Sequence, residues 1–360
     1  MNKTRGSGEK LNMKNQRMQK QRSFVLFVII SVVVLTLSPL QLTAGEQEYF
    51  ALGDFKLDGG GVIRDCILGY RTFGKLNEAR SNAILFPTWF AGTSADLTAL
   101  IGPGKLVDST KYFVIGVDSF GNGISSSPSN SALQTGRSFP EFTMGDMVRA
   151  QYRLIAEKLR IPRLHAVVGI SMGGMQTFYW TAAYPDFVKK AVPVTGTPKP
   201  TSYDLLLYRT ELTVLEGNRT TKGWDKEPLA IVTGLHAMSE GTPGRFIASR
   251  NPGELPSYLE KAEKDLEKSD PNDLAWQLKA MMRHDIYAVF GKPAETARKI
   301  RPEVFTVISL QDHMVNPTPA RELADLMQAR SLLLDSGCGH YIFQCEFARI
   351  SSAVSEFLDR

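Results

Sequence analysis

A serine between two glycines is the strongest chemical signal in the chain. The segment 169–173 reads GISMG; it follows an apolar run at 164–168 and precedes a helical pattern at 175–184. A serine on a sharp strand-to-helix turn is presented for nucleophilic attack, and glycines two positions before and after it remove side chains that would clash there. A glycine-rich turn with an idle serine is the alternative, but the flanking strand and helix favour Ser171 as a nucleophile.

A serine hydroxyl needs a general base to act as a nucleophile at neutral pH. In chains with a strand–serine–helix turn of this kind, the acid of the triad comes later in the sequence than the serine, and the histidine comes after the acid. His340 lies in a glycine-rich loop after the last apolar run, and Asp312 ends the run before that one. The rival acid, Asp335, ends the run that leads directly to His340. We therefore predict Ser171, Asp312 and His340 as a catalytic triad.

Two backbone N–H groups are expected to stabilise the oxyanion that forms when a serine attacks a carbonyl. One should belong to Met172, directly after the nucleophile, and the other to the loop after the run at 82–86. That loop reads PTWFAGT at 87–93, and we expect Phe90 to donate, with Trp89 as the alternative. No metal-ligand or nucleotide motif accompanies these residues, so neither a metal nor a cofactor is predicted.

Apolar runs alternate with amphipathic helical patterns along most of the chain. Runs rich in Val, Ile and Leu are typical of strands buried on both faces of a parallel sheet. Helices are predicted at 143–160, where Thr143 and Asp146 resemble a cap, and at 317–329 and 341–358. The alternation predicts an α/β fold with a mostly parallel sheet flanked by helices. Six strands are predicted, at 82–86, 112–117, 164–168, 190–194, 304–310 and 331–334.

Residues 197–294 interrupt this alternation with helical patterns and loops that contain no clear strand. A segment of this length between two core strands is too long for a simple connection. We expect a helical cap over the active site, because lids are a common use of long insertions. The core would then comprise residues 45–196 and 295–360. A peripheral helical decoration without a role in binding is the alternative.

The excess of positive charge in the chain comes from its first 22 residues. Residues 1–22 hold seven Lys and Arg and one acid, whereas the remainder holds 35 bases and 36 acids. A near-neutral body argues against a nucleic-acid partner. An uncharged apolar run at 24–37 and the small residue Ala44 are typical of a secretory signal peptide over residues 1–44. A membrane anchor in this segment or a buried element of the fold are the alternatives. A signal peptide or an anchor places the body outside the cytoplasm, so we expect an exported protein that contacts membrane only through an uncleaved N-terminus.

Three cysteines, Cys66, Cys338 and Cys345, are too few for a disulfide scaffold and are not spaced as zinc ligands. We expect buried free thiols. A disulfide between Cys338 and Cys345, formed in an oxidising compartment, is the alternative.

The chain resembles homoserine O-acetyltransferases and their relatives among the α/β-hydrolases, from about Phe50 to the C-terminus. The similar segments include an opening strand pair, a helix, the nucleophile turn and the acid and base segments. The resemblance implies the α/β-hydrolase fold. The segments are GYRTFGKLNEARSNA at 69–83, FPEFTMGDMVRAQ at 139–151, GISMGGMQ at 169–176, LQDHMVNP at 310–317 and Gly339-His340.

Departures from that family cluster at the expected binding site. Its transferases usually have His-Ala-Leu-Thr-Gly in the oxyanion loop, where this chain has TWFAG at 88–92. An Asp usually follows the catalytic His, where this chain has Tyr341. The best match to an Arg-Phe-Asp-Ala-Asn segment of the cap is KSDPN at 268–272, which lacks the arginine. Loss of an acid and a cation disfavours a zwitterionic amino acid as acyl acceptor.

We therefore expect an exported enzyme that hydrolyses an ester or a related acyl bond of a small molecule through an acyl-enzyme on Ser171. The alternative activity is transfer of an acyl group to homoserine or another hydroxyl, with acetyl-CoA or acyl-CoA as co-substrate. A binding protein or pseudoenzyme on the same fold is a third hypothesis, and the intact triad disfavours it. The oligomeric state is open, a homodimer included.

Overall fold

Eight strands form one sheet with the spatial order β1-β2-β4-β3-β5-β6-β7-β8. The six strands from β3 to β8 run parallel, and β2 pairs antiparallel with both β1 and β4. The computed structural model describes residues 45–218 and 223–360. The strands are β1 (Glu48–Lys56), β2 (Val62–Phe73), β3 (Ala83–Pro87), β4 (Phe113–Val117), β5 (Leu164–Ile170), β6 (Val188–Val194), β7 (Glu303–Ser309) and β8 (Arg330–Leu334).

Helices connect the parallel strands and fill the long segment between β6 and β7. A π-helical turn, Leu154–Lys158, continues the first of them. The helices in the described residues are α1 (Met144–Arg153), α2 (Met172–Ala183), α3 (Ser202–Gly217), α4 (Lys226–Ser239), α5 (Pro243–Ser249), α6 (Leu255–Leu266), α7 (Pro271–Met282), α8 (Ile286–Phe290), α9 (Pro293–Lys299), α10 (Thr318–Leu326) and α11 (Phe343–Asp359). Short 3₁₀ turns lie at Asp96–Ala99, Gly136–Ser138, Pro252–Glu254 and Gly339–Tyr341.

The two faces of the sheet bury separate clusters of apolar side chains. Successive side chains of a strand point to opposite faces, so Leu85 of β3 joins one cluster and its neighbours Ile84 and Phe86 join the other. The first cluster includes side chains of α1, α2 and α7, and the second includes those of α11. Burial on both faces explains why the central strands read as continuous apolar runs.

The predicted α/β fold with a mostly parallel sheet is confirmed, and each of the six predicted strands is present within two residues of its expected bounds. The segment 69–83 is not a strand pair, however. It comprises the end of β2, a loop and the first residue of β3, because Gly74 turns with φ +73° and Asn77 and Asn82 hydrogen-bond the loop to itself. The opening pair is the hairpin of β1 and β2.

The helical prediction at 143–160 is confirmed in part. Thr143 and Asp146 form a reciprocal capping box at the start of α1. The helix ends earlier than predicted, at Arg153, and passes into the π-helical turn. The predicted signal peptide or anchor at 1–44 lies outside the described residues. In the part of the chain that is described, no helix is both long and apolar enough to cross a membrane.

Candidate active site

Ser171 lies at the turn from β5 to α2 with a strained backbone. Its φ of 55° and ψ of −120° are unusual for a residue that carries a side chain. The Ser171 N–H donates to the carbonyl of Val194 on the neighbouring strand β6, at 2.9 Å. Strain of this kind costs of order 1–3 kcal/mol and persists only where the surroundings enforce it. The turn therefore holds the hydroxyl at the carboxyl end of the sheet.

Two glycines make room for this turn. A Cβ on Gly169 would lie 2.1 Å from the carbonyl oxygen of Gly173, and a Cβ on Gly173 would lie 2.5 Å from that of Pro87. Neither position can accept a side chain without a shift of the backbone. The second contact brings the start of α2 against the end of β3, where the oxyanion loop begins.

The three predicted triad residues lie in one hydrogen-bonded chain. His340 Nε2 is 2.9 Å from Ser171 Oγ, and His340 Nδ1 is 2.7 Å from Asp312 Oδ2. The other carboxylate oxygen of Asp312 accepts the N–H groups of Met314 and Val315. A carboxylate beside Nδ1 holds the proton there, so Nε2 is free to accept the serine proton. All three side chains are buried.

Asp335, His165 and His284, the other acid and histidines considered, have partners outside the hydrogen-bonded chain of Ser171, His340 and Asp312. Asp335 is exposed and accepts a hydrogen bond from Gln311 at 2.8 Å. His165 Nε2 contacts the carbonyl oxygen of Leu358, and His284 Nε2 contacts that of Thr197. Within residues 45–218 and 223–360, no group of three or more His, Cys, Asp or Glu side chains is placed to hold a metal ion.

The two predicted oxyanion donors are Phe90, in the loop after β3, and Met172, at the start of α2. In the described part of the chain, the N–H groups of Phe90 and Met172 donate to no acceptor. Ala91, next to Phe90, has φ 60° and donates its N–H to Gln277 Oε1 at 2.8 Å. Gln277 also donates to the carbonyl of Phe120 at 3.0 Å. The loop is therefore held in place by a side chain of α7.

A second buried amide lies beneath the nucleophile turn. Gln176 Nε2 donates to the carbonyl of Thr88 at 3.2 Å and to Ser119 Oγ at 3.1 Å. Its oxygen accepts from Gln151 Nε2 at 2.6 Å, and the Gln151 oxygen accepts from Trp180 Nε1 at 2.8 Å. A fully paired polar network in a core fixes the relative position of the elements it joins. Here it joins α1 and α2 to the start of the oxyanion loop.

The segment between β6 and β7 contacts the loop that follows Asp312. Tyr208 of α3 donates its hydroxyl to the carbonyl of Met314 at 3.1 Å. Asp204, at the start of the same helix, accepts the N–H of Asn316 at 2.8 Å. Burial raises the pKa of Asp204, and the nearby charge of Asp312 adds to this effect. Helix α3 therefore holds the loop that follows Asp312.

The same segment contacts the loop that contains His340. The N–H of Tyr341 donates to the carbonyl of Glu240 at 3.2 Å, and the N–H of Thr242 donates to that of Gly337 at 2.9 Å. Cys338 and Cys345, which flank His340 in the sequence, form a disulfide. The expectation of free thiols is wrong for this pair. The 3₁₀ turn at 339–341 reverses the chain, so that Cys345 lies beside Cys338. Cys66 is free and buried, as expected.

His236 of α4 packs beside the oxyanion loop. Its ring meets Phe90 edge to face, with the centroids 6.1 Å apart, and its Nε2 lies 3.1 Å from Glu211 Oε1. Burial lowers the pKa of His236, but the hydrogen bond and charge of the Glu211 carboxylate outweigh it, so the pKa is raised overall. The hydrogen-bonded pair of His236 and Glu211 therefore lies beside Phe90.

Sequence reasoning missed these supporting residues, above all Gln277 and Glu211. Both are polar residues on helices among apolar neighbours, and both are buried. A polar side chain on the apolar side of a helix is the one signal that marks them, and it does not identify the partner. Gln176 belonged to the segment GISMGGMQ, but its role emerged only from its contacts.

Comparisons with known proteins agree with this geometry. A family model described as alpha/beta hydrolase fold matches residues 84–344. The chain is 34% identical over 265 residues to the ethyl acetate hydrolase of Pseudomonas veronii, a match that covers 64% of this chain and 76% of that protein. It is 44% identical over 169 residues to a probable esterase of Corynebacterium glutamicum, which covers 46% of this chain and 48%, about half, of the relative.

Solved structures are also similar. An acetylester hydrolase from Corynebacterium glutamicum superposes with a TM-score of 0.81 at 27% identity, over 88% of this chain and 96% of that one. A homoserine O-acetyltransferase from Bacillus anthracis does so with a TM-score of 0.77 at 25% identity, over 88% of this chain and 98% of that one. The predicted fold and the resemblance to homoserine O-acetyltransferases are both confirmed.

Proposed function

This chain belongs to the α/β-hydrolase family, and we propose that it is an esterase that hydrolyses short-chain acyl esters through an acyl-enzyme on Ser171. The hydrogen-bonded chain from Ser171 through His340 to Asp312 is the observation that carries the proposal. The relatives described above include both esterases and acyltransferases. Both reactions begin with the same acyl-enzyme and differ in the acceptor that resolves it.

The geometry supports a two-step reaction. Ser171 Oγ attacks the ester carbonyl while His340 Nε2 takes its proton, and the N–H groups of Phe90 and Met172 stabilise the oxyanion. The carbon–oxygen bond to the alcohol then breaks, and the alcohol leaves with the proton from His340. Water next gives a proton to His340 and attacks the acyl-enzyme carbonyl. The acid leaves as Ser171 regains its proton.

Water is proposed as the acceptor because two segments lack the acid and the arginine that the family's transferases have there, and the charged residues that remain have other partners. Tyr341, in place of an acid, packs its ring edge to face against His340 at 6.2 Å between centroids. Lys268, the cation in the altered cap segment, is engaged by Asp265 at 2.6 Å. Asp270 caps α7 through the N–H of Asn272. A site that lacks this acid and this arginine should discriminate less well for a zwitterion.

A partition experiment tests the choice of acceptor. Purified protein receives acetyl-CoA or a simple acetyl ester, with and without millimolar homoserine, and both acetate and O-acetylhomoserine are quantified. We expect acetate as the main product in every mixture. O-acetylhomoserine as the main product would replace the hydrolase proposal with the transferase alternative. Ser171→Ala is the control for background hydrolysis.

We further propose that the protein is exported, with residues 1–44 as a signal peptide or anchor. The supporting observations are the composition of that segment and the Cys338–Cys345 disulfide, since disulfides persist chiefly in oxidising compartments. Fractionation of the native host and N-terminal sequencing test this. We expect a new N-terminus near Ala44, or an intact one in the membrane fraction. An intact Met1 on a cytoplasmic protein would refute export.

A further inference from the structure

The loop that carries the catalytic base is closed by a covalent bond. Cys338 and Cys345 are seven positions apart and lie on either side of His340. Cys338 is 3% exposed, whereas Cys345 lies on the surface in the first turn of α11. The disulfide therefore links a buried part of the His340 loop to a helix end at the surface.

Packing at this helix end rests on Phe343, which lies half-buried against the apolar cluster that also contains Ile342. Between the buried residues Ile342 and Ile350, every side chain from 343 to 349 is exposed or half-buried. Glu346 interrupts the helix with φ −117° and ψ 17°, which separates the first turn from the rest of α11. Beyond the interruption, Ile350 and Val354 anchor α11 in the core. Apart from the packing of Ile342 and Phe343, the first turn is joined to the His340 loop by the disulfide.

The other side of the loop rests on backbone contacts with the segment between α4 and α5. Gly337 accepts the N–H of Thr242, and Tyr341 donates to the carbonyl of Glu240. Gly339 turns between them with φ +52°, and a Cβ there would lie 2.8 Å from the Cα of Gly241. His340 is thus held between these contacts on one side and the disulfide on the other.

We propose that the Cys338–Cys345 disulfide is a positioning element for His340, so that the hydrolytic activity depends on an oxidising environment. The inference rests on the proposed function, because it takes His340 as the general base. The base must lie within hydrogen-bond reach of Ser171 Oγ, and misplacement by about 1 Å can cost about 100-fold in rate. The covalent bond ties this loop to the exposed start of α11, so the loop should lose that precision when the bond opens.

A dithiol is the chemical class of reductant that would open the bond. Its thiolate attacks the exposed Cys345 sulfur, the disulfide breaks, and the Cys338 sulfur leaves as a thiolate that takes a proton. The second thiol of the reductant then attacks the mixed disulfide and releases Cys345 as a thiol. Two electrons and two protons pass to the protein, and the reductant becomes a cyclic disulfide.

The test compares the oxidised protein, the protein reduced with dithiothreitol, and the double variant C338A/C345A. Alkylation and mass spectrometry verify one free thiol before reduction and three after it. Initial rates of acetyl ester hydrolysis give kcat and KM across a pH series, and near-UV circular dichroism gives the folded fraction. Cys66→Ala is the matched control, because it removes the free buried thiol and leaves the disulfide.

We expect reduction and the double variant to lower kcat by ~10-fold or more with KM little changed, in protein that remains folded. Dithiothreitol should not alter the double variant further, and Cys66→Ala should respond as the wild type does. An unchanged kcat with the bond verified open would overturn the proposal. So would a loss of rate that only follows a loss of folded protein. If the oxidised protein itself hydrolyses no ester, the proposed function fails instead.

Discussion

The side-chain oxygen of Gln277 accepts the N–H of Ala91 at 2.8 Å, across 186 residues of sequence. Gln277 is fully buried on α7, and its amide nitrogen donates to the carbonyl of Phe120 at 3.0 Å. Ala91 follows Phe90, the proposed oxyanion donor, so one side-chain amide of the long insertion is joined to the residue next to that donor. The insertion therefore supports the loop that contains Phe90.

Gln277→Leu should reduce catalysis through this link. Leucine fills a similar volume but accepts no hydrogen bond, so the Ala91 N–H loses its partner and the Phe90 N–H moves from its position. Since removal of an oxyanion donor costs about 100- to 1,000-fold in kcat, displacement of one should cost ~10- to 100-fold. Steady-state hydrolysis of an acetyl ester measures kcat and KM. Gln344→Leu, on the exposed start of α11, should leave kcat unchanged, and equal rates in both variants would contradict the positioning role.

Ser171→Ala should abolish hydrolysis and labelling by a fluorophosphonate probe while the protein stays folded. The hydroxyl is the only group in the proposed mechanism that bonds covalently to the acyl carbon, so its loss should reduce kcat/KM by at least ~10,000-fold. Ser309→Ala is the matched control, because Ser309 Oγ is buried without a hydrogen-bond partner in the described residues. That variant should be labelled as the wild type is. Near-normal turnover by Ser171→Ala would exclude the proposed triad.

Gly173→Ala should destabilise the fold and displace the oxyanion loop. The new Cβ would lie 2.5 Å from the carbonyl oxygen of Pro87, so the end of β3 or the start of α2 must shift. Overpacking of this kind costs about 1–3 kcal/mol. Gly234→Ala, in the middle of α4 with no atom within 4 Å of the added methyl, should stabilise by up to ~1 kcal/mol. Denaturant unfolding of both variants checks the opposite signs.

Asp273 should make stability depend on pH. Burial raises its pKa to about 6, although hydrogen bonds from the Ser129 N–H and hydroxyl oppose this effect. Between pH ~4 and ~6 the folded state binds more protons at this site than the unfolded state, so the free energy of unfolding falls as pH rises. Asp273→Asn removes this titration. The variant should gain about 2 kcal/mol over the wild type between pH 4 and pH 7.

Urea unfolding at several pH values measures that difference. Glu260→Gln is the control, because Glu260 is an exposed carboxylate whose pKa is lowered by its hydrogen bond with Lys264. Its substitution should change stability only slightly and with the opposite dependence on pH. If the curves of Asp273→Asn and the wild type run parallel, the buried carboxylate is not the source of the pH dependence.

Local sequence pattern was sufficient to predict the turn that carries Ser171 and the positions of the candidate acid and base after it. GISMG at 169–173 needs only its own glycines and the adjoining strand and helix to form the turn. The buried strands were predicted because a strand covered on both faces must be apolar throughout. β1 and β2 were missed as a pair, since β1 lies at the edge with polar, exposed positions and carries bulges that break its alternation.

Contacts between distant segments were decided by tertiary structure alone. Gln277 and Ala91, His236 and Phe90, and Tyr208 and Met314 each join helices of the insertion to loops at the sheet edge. A polar residue in an apolar pattern indicates that a hydrogen-bond partner is needed. The sequence does not identify that partner, because many segments offer N–H or carbonyl groups and the packing of the helices decides which of them is near. The pairing of Cys338 with Cys345 was open for the same reason. Sequence spacing permitted the bond, and only the 3₁₀ turn that contains His340 brings the two sulfur atoms together.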